Sequence, residues 1–295
     1  MAEYYSYSKI RDFAFCPKLY KWRYVEGYRP LKKAKALALG SCMAAGVAAF
    51  RKNGNIEHSV IDEQNPENTK LTPIDAFLET WKSQGQSLEF SKDEDPLRSV
   101  ERGLEILEAY MNEYPEEPEL VVKPEIWFEE EIAPDIFFRG RVDGIMRDEN
   151  DVFLIEDKTV SWLGPQWFRA QKDSYQILWY MFICKKLGLF ELFREKERPR
   201  CLVNAIYINP TRFRFEREMT MKSNKIIDDS LNKMLEWIEM IRFATNNDVF
   251  PKADGDKCQA YGGCEYLPLK NAHGEMLQRL LMGGFTKEQE REVVI

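Results

Sequence analysis

Three ionisable side chains stand together after an apolar run: Glu156, Asp157 and Lys158 directly follow Val152–Ile155. Side chains alternate between the two faces of a β-strand, so Glu156 and Lys158 are predicted to share one face and Asp157 to point to the other. An unpaired charge is costly to bury, so we expect a compensating group at this strand end.

A second carboxylate belongs to the preceding stretch, where Asp143 lies within Gly140-Arg141-Val142-Asp143-Gly144. We expect the glycines to leave room for a ligand beside Asp143. Two carboxylates and a lysine suit an Mg²⁺ ion that activates water against a phosphodiester. The alternative is a surface hairpin in which a salt bridge between Glu156 and Lys158 serves stability alone.

Periodicity predicts the elements that must position these residues. Residues 140–147 and 152–159 are apolar-rich runs separated by a polar turn, which predicts an antiparallel hairpin. Residues 166–187 are a dense apolar stretch typical of a helix, on which Gln176 and Tyr180 share a face because they are four residues apart. Taken alone, this pair is more typical of a satisfied polar pair in the core than of a functional site.

The remaining elements follow from the same kind of pattern. Strands are predicted over 120–132 and 201–209, and helices over 6–26, 34–50, 73–81, 96–114 and 222–243. Within the first of these helices, Ser6 suits the N-cap and Pro17 predicts a break.

The order of the features resembles that of the PD-(D/E)XK nuclease superfamily. The matching features are residues 140–144, the hairpin, residues 156–159 and the helix with Gln176 and Tyr180. Within the superfamily, the chain is most similar to the RecB-like branch, which includes phage exonucleases and the CRISPR-associated four-cysteine exonucleases. The resemblance covers residues 6–270, and the ordered set is much more specific than any one motif.

The resemblance implies a restriction-endonuclease-like α/β (α+β) core, in which helices flank a central mixed sheet. The chain has 295 residues, which is enough to bury a substantial core. We predict a single nuclease domain over 1–275 with a polar insertion near 51–97, followed by a charged tail over 276–295.

Residue roles also follow from the resemblance. It gives catalytic or supporting roles to five residues, namely Asp143, Glu156, Lys158, Gln176 and Tyr180. Asp143 and Glu156 would bind Mg²⁺ or Mn²⁺, and the backbone carbonyl of Asp157 would add an oxygen ligand. Lys158 would assist the attacking water, and the helix with Gln176 and Tyr180 would support the site and DNA.

One metal ligand of the family is missing. The family usually has a histidine four residues after the position of Gly40, where this chain has Ala44. A divergent metal site, an impaired enzyme and an engineered substitution all remain open. Glu125 resembles a glutamate that precedes the strand in RecB-like members, and it is the first candidate for an additional ligand. His58 and His273 lie in polar surroundings and are expected to face solvent.

Three cysteines resemble the ligands of an iron–sulfur cluster found in some family members: Cys16, Cys258 and Cys264. The fourth ligand would fall at Lys270, and such clusters normally use four thiolates. A full cluster is therefore not favoured, while free thiols, an incomplete cluster and zinc with another ligand remain open. The other cysteines lie in apolar surroundings and are expected in the core: Cys42, Cys184 and Cys201.

The charge distribution is uneven. The formal net charge is −7, yet residues 1–50 contain nine Lys or Arg residues and three acidic ones. Tyrosines and Trp22 lie between these charges, which suits phosphate contacts combined with base stacking. The candidates for DNA contact are Lys18, Lys21, Arg23, Lys32 and Lys33. The alternative is an ordinary solvated basic helix.

The composition, with 44% hydrophobic and 31% charged residues, favours a soluble protein. No apolar run approaches the ~18 residues of a membrane span, and the N-terminus lacks the pattern of a signal peptide. We expect a cytoplasmic location and no membrane partner.

The function expected from the resemblance is metal-dependent hydrolysis of DNA, by an exonuclease of recombination, repair or phage DNA processing. Its partners would be DNA and recombination or replication proteins. The alternative is a catalytically weak or inactive DNA-binding or recombination-accessory protein on the same fold, which Ala44 favours. A partner-binding protein that keeps the hairpin salt bridge for stability is a further alternative.

Overall fold

The structure is a computed structural model, and it describes residues 2–31, 35–53, 71–85, 99–149, 151–194, 196–208, 212–255, 258 and 264–287. Lys32, Lys33 and His58 lie outside these ranges, as does most of the insertion predicted near 51–97. The last part of the predicted tail, after Lys287, also lies outside them.

Contacts within the chain divide it into two compact units, each built from separate stretches of sequence. Unit 1 consists of Met1–Ala34, Glu131–Arg139 and Leu231–Ile295, and unit 2 of Lys35–Glu130 and Gly140–Ser230. The residues predicted to be catalytic belong to unit 2, and the three cysteines predicted to act together belong to unit 1. The single domain over 1–275 stays a prediction.

Unit 2 holds most of the regular structure. Its strands are β3 (Val121–Ala133), β4 (Ile136–Arg147), β5 (Val152–Val160), β6 (Arg200–Ile208) and β7 (Phe213–Met221). The first residues of β4 and the last of β3 belong to unit 1. Its helices are α3 (Lys35–Asn53), α4 (Pro73–Gly85), α5 (Val100–Glu113), α6 (Glu117–Leu120), α7 (Pro165–Lys172) and α8 (Tyr175–Lys186).

A mixed sheet lies at the centre of unit 2. Strands β4 and β5 pair antiparallel from Gly144↔Ile155 to Arg147↔Val152, which confirms the predicted hairpin. Strands β5 and β6 are parallel, β6 and β7 are antiparallel, and β3 pairs with β4. The helices flank this sheet, so the predicted α/β fold with a central mixed sheet is confirmed.

The core of unit 2 forms where helices α3, α4 and α5 pack with the sheet. The cluster of fully buried side chains includes Leu39 of α3, Phe77 of α4, Leu107 of α5 and Ile206 of β6. These apolar positions recur every three or four residues along each helix, so one face of the helix is buried. Cys42, Cys184 and Cys201 are buried, as predicted.

Unit 1 contains β1 (Glu3–Tyr5), α1 (Tyr7–Phe15), α2 (Pro17–Tyr20), β2 (Tyr28–Pro30), most of α9 (Asn224–Asn246), α10 (Gly274–Gly284) and β8 (Phe285–Lys287). The Ser6 side chain accepts a hydrogen bond from the Lys9 N–H, which confirms the predicted N-cap. Helix α1 ends at Phe15, before Pro17, which confirms the predicted break. Strand β2 pairs antiparallel with β8, and β1 runs parallel to the start of β4. The predicted tail therefore begins with a helix and a paired strand.

The single helix predicted over 166–187 is wrong, because the chain forms two helices there. Helix α7 ends at Lys172 and α8 begins at Tyr175. Ser174 has an extended backbone, and its hydroxyl oxygen accepts a hydrogen bond from the Ile177 N–H, with 3.4 Å between nitrogen and oxygen. A serine in this role caps a new helix, so Gln176 lies in the first turn of α8.

Across the residues that the structure describes, no helix combines the length and the apolar character needed to cross a membrane.

Candidate active site

Asp143 is held against the backbone of the neighbouring strand. It lies one residue before Gly144, the point at which the paired register of β4 and β5 begins. Its Oδ2 accepts a hydrogen bond from the Asp157 N–H at 2.8 Å. The carboxylate of Asp143 is therefore fixed beside residues 156–158, although 14 positions separate the two hydrogen-bonded residues in sequence.

Lys158 connects the hairpin to helix α8. Its Nζ donates hydrogen bonds to Glu156 Oε1 and to Gln176 Oε1, the latter at 2.8 Å. The structure thus brings Asp143, Glu156, Lys158 and Gln176 together, and we call these four residues the Lys158 cluster. Three of its members carry ionisable groups, and Glu156 is buried.

Tyr180 lies one helical turn after Gln176, and it contacts β3 and β4. Its ring meets the ring of Phe128 edge-on, with 5.9 Å between centroids. A Cβ atom at Gly140 would lie 3.0 Å from Phe128 Cζ and 3.7 Å from the Tyr180 hydroxyl, and one at Gly144 would lie 3.1 Å from the Lys123 carbonyl oxygen. The glycines therefore admit protein neighbours, whereas the sequence led us to expect space for a ligand.

The two acids of the Lys158 cluster lie where their charged forms are disfavoured. Burial raises the pKa of Asp143 to about 8, and the charges of Glu156 and Asp157 add to this shift. Burial also raises the pKa of Glu156, while Lys158 opposes that change. Desolvation and a like charge both penalise the ionised form of a carboxyl group. A further positive charge between the two carboxylates would relieve both effects.

This donor set fits a divalent ion such as Mg²⁺ or Mn²⁺. Carboxylate oxygens are hard ligands, and Mg²⁺ is commonly held by one or two of them together with water. Asp143 and Glu156 would hold such an ion. No group of three or more His, Cys, Asp or Glu side chains is arranged to share a metal ion in the described part of the chain.

Asp157 points away from the Lys158 cluster, as alternation along the strand predicts. Its carboxylate accepts hydrogen bonds from two Arg51 nitrogens and, at 2.6 Å, from Asn204 Nδ2. Burial alone would raise the pKa of Asp157, but Arg51 and then Asn204 outweigh burial, and the pKa is lowered. Metal ligation through the backbone carbonyl of Asp157 stays a prediction.

A buried polar network surrounds Asp157, and sequence reasoning did not find it. We call it the Arg51 network, and its members are Arg51, Tyr110, Glu117, Asp157, Asn204 and Arg217. Asp157 stands opposite Asn204, and Asn204 opposite Arg217, in one row across β5, β6 and β7. Asn204 within an apolar strand was the signal that could have revealed it, because a buried amide requires partners.

Helices complete the network from one face of the sheet. Arg51 Nε donates to Glu117 Oε1 at 2.6 Å, and Arg217 Nη2 donates to Glu117 Oε2 at 2.9 Å. The Tyr110 hydroxyl accepts from Asn204 Nδ2 at 2.9 Å and donates to Glu117 Oε1 at 3.1 Å. Two guanidinium groups thus meet two carboxylates, and the charges of the network balance.

Glu125, the candidate additional ligand, forms an ion pair with Arg141. The Arg141 guanidinium also lies over the Trp127 ring, 5.3 Å from its centroid. Ala44 is half-buried on α3, one turn after Gly40. A Cβ atom at Gly40 would lie 3.9 Å from the Thr159 Cβ, so this face of α3 is turned toward the end of β5.

The basic candidates of unit 1 have internal partners. Lys21 pairs with Asp248, and Arg23 pairs with Asp12 at 2.7 Å. The Lys18 ammonium lies over the Trp22 ring, 5.4 Å from its centroid. Asp248 lies outside residues 1–50, so its pair with Lys21 neutralises part of the local excess of positive charge. A DNA-binding role for these residues stays a prediction.

The three cysteines of unit 1 lie near one another. Lys270 Nζ is 3.2 Å from Cys258 Sγ, and the Cys264 N–H donates to the Cys258 carbonyl oxygen at 2.8 Å. Burial raises the pKa of Cys264, and the charges of Cys16 and Cys258 also raise it. An ammonium group has no lone pair with which to bind iron, so these residues do not fit a four-thiolate cluster. His273 is exposed, as predicted.

Comparison with known proteins gives an extended match to a family model. A family model described as the PD-(D/E)XK nuclease superfamily matches residues 4–269. No curated protein matches the chain. Among solved structures, the crystal structure of SSO0001 is 15% identical with a TM-score of 0.28, and the match covers 56% of this chain and 64% of that one. The chain therefore spans less than two thirds of that structure, and so low a TM-score supports no conclusion.

Proposed function

The chain belongs to the PD-(D/E)XK nuclease superfamily, and from that premise we propose that it is a divalent-metal-dependent deoxyribonuclease that degrades DNA from its ends. A RecB-like exonuclease of recombination, repair or phage DNA processing is the form of this function that we favour. The Lys158 cluster is the observation that carries the proposal. Its two carboxylates come from adjacent strands, its lysine joins Glu156 to the amide of Gln176, and the Asp157 N–H holds Asp143.

In this proposal the side chains of the cluster divide the chemical work. Lys158 donates a hydrogen bond to the attacking water and offsets negative charge that develops on the phosphate. Gln176 holds the Lys158 ammonium in position through the 2.8 Å hydrogen bond. The Asp157 N–H holds the Asp143 carboxylate in place through the 2.8 Å hydrogen bond. Tyr180 supports β4 at Gly140, near which its hydroxyl lies.

A divalent ion bound by Asp143 and Glu156 would supply Lewis-acid activation of water and neutralisation of phosphate charge. Burial raises the pKa of both carboxyl groups, and a bound cation would favour their ionised forms, which supports this assignment. Mg²⁺ and Mn²⁺ are the ions that we propose, since both prefer oxygen ligands.

The test is cleavage of end-labelled linear DNA and of closed circular DNA in the presence of Mn²⁺. An end-dependent enzyme releases label from the linear substrate and leaves the circle intact. Nicking or linearisation of the circle would contradict the end-dependence, and no cleavage of either substrate by folded protein would contradict nuclease activity altogether. Asp143→Ala, which removes a proposed ligand, is the control for contaminating nucleases.

A second candidate is a DNA-binding protein that has lost most of its catalysis. Ala44 favours it, because the family usually has a metal-binding histidine at the matching position. The two candidates differ in one measurement. A DNA-binding protein without catalysis binds linear DNA but releases no label at any Mn²⁺ concentration. The enzyme binds linear DNA and also releases the label.

A further inference from the structure

An exposed tryptophan lies within reach of the Lys158 cluster and has no role in the proposed chemistry. The Trp127 side chain on β3 is 74% exposed, although large aromatic side chains are usually buried at least in part. The Arg141 guanidinium covers one side of its ring at 5.3 Å from the centroid. Most of the indole surface therefore remains open to a flat partner.

Arg141 connects this tryptophan with the carboxylates. It precedes Asp143 by two residues on β4, which corresponds to roughly 7 Å along a strand. Side chains two residues apart on a strand share a face, so Arg141 and Asp143 lie on the same side of β4. Glu125 forms an ion pair with one nitrogen of the Arg141 guanidinium, and a guanidinium has five N–H donors in all. The remaining donors can reach an anion without loss of this ion pair.

The surroundings indicate what the occupant is. Along β3, the acidic residues Glu125 and Glu129 flank Trp127 on either side, so this surface is neither a broad apolar patch for a protein nor a general binding surface for phosphate. A lone aromatic ring among charges, beside one guanidinium, suits a base that stacks and a phosphate that contacts the arginine. Stacking of this kind requires a base that is not paired within a duplex.

We propose that Trp127 and Arg141 form a subsite for an unpaired nucleotide adjacent to the scissile phosphate, with the base stacked on the indole and the phosphate bound by the guanidinium. This inference rests on the nuclease function proposed above, and it specifies the substrate as a single-stranded segment of DNA. The subsite would hold the strand so that the next phosphate lies at Asp143 and Glu156.

The first experiment scans an abasic position along a single-stranded oligonucleotide and measures its affinity for the full-length protein in EDTA. With the wild-type chain, one abasic position should weaken binding about 5- to 150-fold, the usual effect of one stacked base. Trp127→Leu should weaken binding of the intact strand to a similar extent and lose sensitivity at that position. Trp127→Phe, which keeps an aromatic ring, should retain most of both properties.

The second experiment separates the two members of the subsite by their salt dependence. Arg141→Gln should reduce the slope of log K against log salt by about 0.7, the value for one phosphate contact on a single strand. Trp127→Leu should leave the slope unchanged, because stacking releases no counterion. Lys123→Gln is the matched control, because it removes an exposed charge from β3, the strand that carries Trp127. Its slope should be close to that of the wild-type chain.

The proposal would be overturned if Trp127→Leu and the wild-type chain showed the same dependence of affinity on the abasic position. It would also be overturned if Arg141→Gln and Lys123→Gln changed the slope of log K against log salt equally. Failure of the nuclease function would look different. The wild-type chain would then release no label from linear DNA with Mn²⁺, whatever the result of the abasic scan. Because Trp127 is largely exposed, we expect both of its variants to fold.

Discussion

The two sides of strand β5 carry acidic groups whose charges are balanced in different ways. On one side, the Arg51 network sets two guanidinium groups against two carboxylates and closes its own hydrogen bonds. On the other side, the Lys158 cluster sets two carboxylates against one ammonium group. Glu156 and Asp157 are neighbours on β5 and point to opposite sides, so the difference comes from the elements that pack on each side.

The pKa directions express this difference. The pKa of Asp157 is lowered because Arg51 and Asn204 outweigh burial, whereas the pKa values of Asp143 and Glu156 are raised because burial dominates. A balanced buried network needs nothing from outside the protein. An unbalanced cluster is suited to binding a cation, and perturbed acids of this kind are typical of functional sites.

The largest difference between the two sides should appear in catalysis. Lys158→Ala should lower cleavage of linear DNA by about 10²- to 10⁴-fold, the range for loss of a group that transfers a proton or stabilises charge. Initial rates of label release with Mn²⁺ measure this effect. Lys185→Ala breaks an exposed ion pair between α8 and Asp228 and should cleave at the wild-type rate. Full activity of Lys158→Ala would remove the cluster from the mechanism.

The Arg51 network should instead control stability. Arg51→Met leaves the carboxylates of Asp157 and Glu117 without a main partner, and breaking a buried ion pair from one side costs about 3–5 kcal/mol. Urea unfolding followed by circular dichroism gives the free energy of unfolding. Lys225→Met breaks an exposed pair with Asp229 and should leave the midpoint unchanged. An Arg51→Met protein as stable as the wild type would show that the network is not structural.

Metal addition should affect the Lys158 cluster alone. Mn²⁺ at about 100 times its dissociation constant should stabilise the folded chain by about 2.7 kcal/mol, measured as a rise in the thermal midpoint. The rise should disappear in Asp143→Ala. It should persist in Arg217→Met, which perturbs the network on the other side of the sheet. An equal rise in Asp143→Ala and the wild-type chain would place the metal elsewhere.

The same substitution on the two sides should change stability in opposite directions. In metal-free protein at neutral pH, burial raises the pKa of Asp143 above its unfolded value, so folding is penalised. Asp143→Asn removes this penalty and should stabilise the fold by about 0.5–2 kcal/mol at the expense of activity. Asp157→Asn weakens the hydrogen bonds with Arg51 and Asn204 and should destabilise it by about 1–3 kcal/mol. Changes of the same sign in the two variants would contradict the contrast between the two sides.

The smallest expected effect is a gain of function in the Lys158 cluster. Ala44→His should tighten Mn²⁺ binding by about threefold or more, because an imidazole adds a neutral ligand without adding negative charge. Isothermal calorimetry measures the affinity. Ala45→His places the same side chain about 100° around α3 and is the matched control. No gain in affinity in Ala44→His would mean that the cluster binds metal without a ligand at position 44. Glu125 would then be the next candidate for an additional ligand.

Much of the fold followed from local patterns. The hairpin of β4 and β5, the cap at Ser6 and the break before Pro17 all agree with the structure, because each depends on a few neighbouring residues. The division of residues 166–187 into two helices was missed, although the largely polar run over 169–174 interrupts the apolar pattern and Ser174 is a residue type that caps helices. The structure shows the new N-terminus through the hydrogen bond from the Ile177 N–H to the Ser174 hydroxyl.

The sequence by itself determined which groups can meet on each side of β5. Alternation along a strand places Glu156 and Lys158 together and sends Asp157 the other way, and this holds wherever the strand lies. Only the tertiary structure decided which acids are compensated. Arg51 reaches Asp157 across 106 residues of sequence, and Arg217 joins it through the register of β6 and β7. Charge balance depends on distances between groups that are remote in sequence, and folding alone sets those distances.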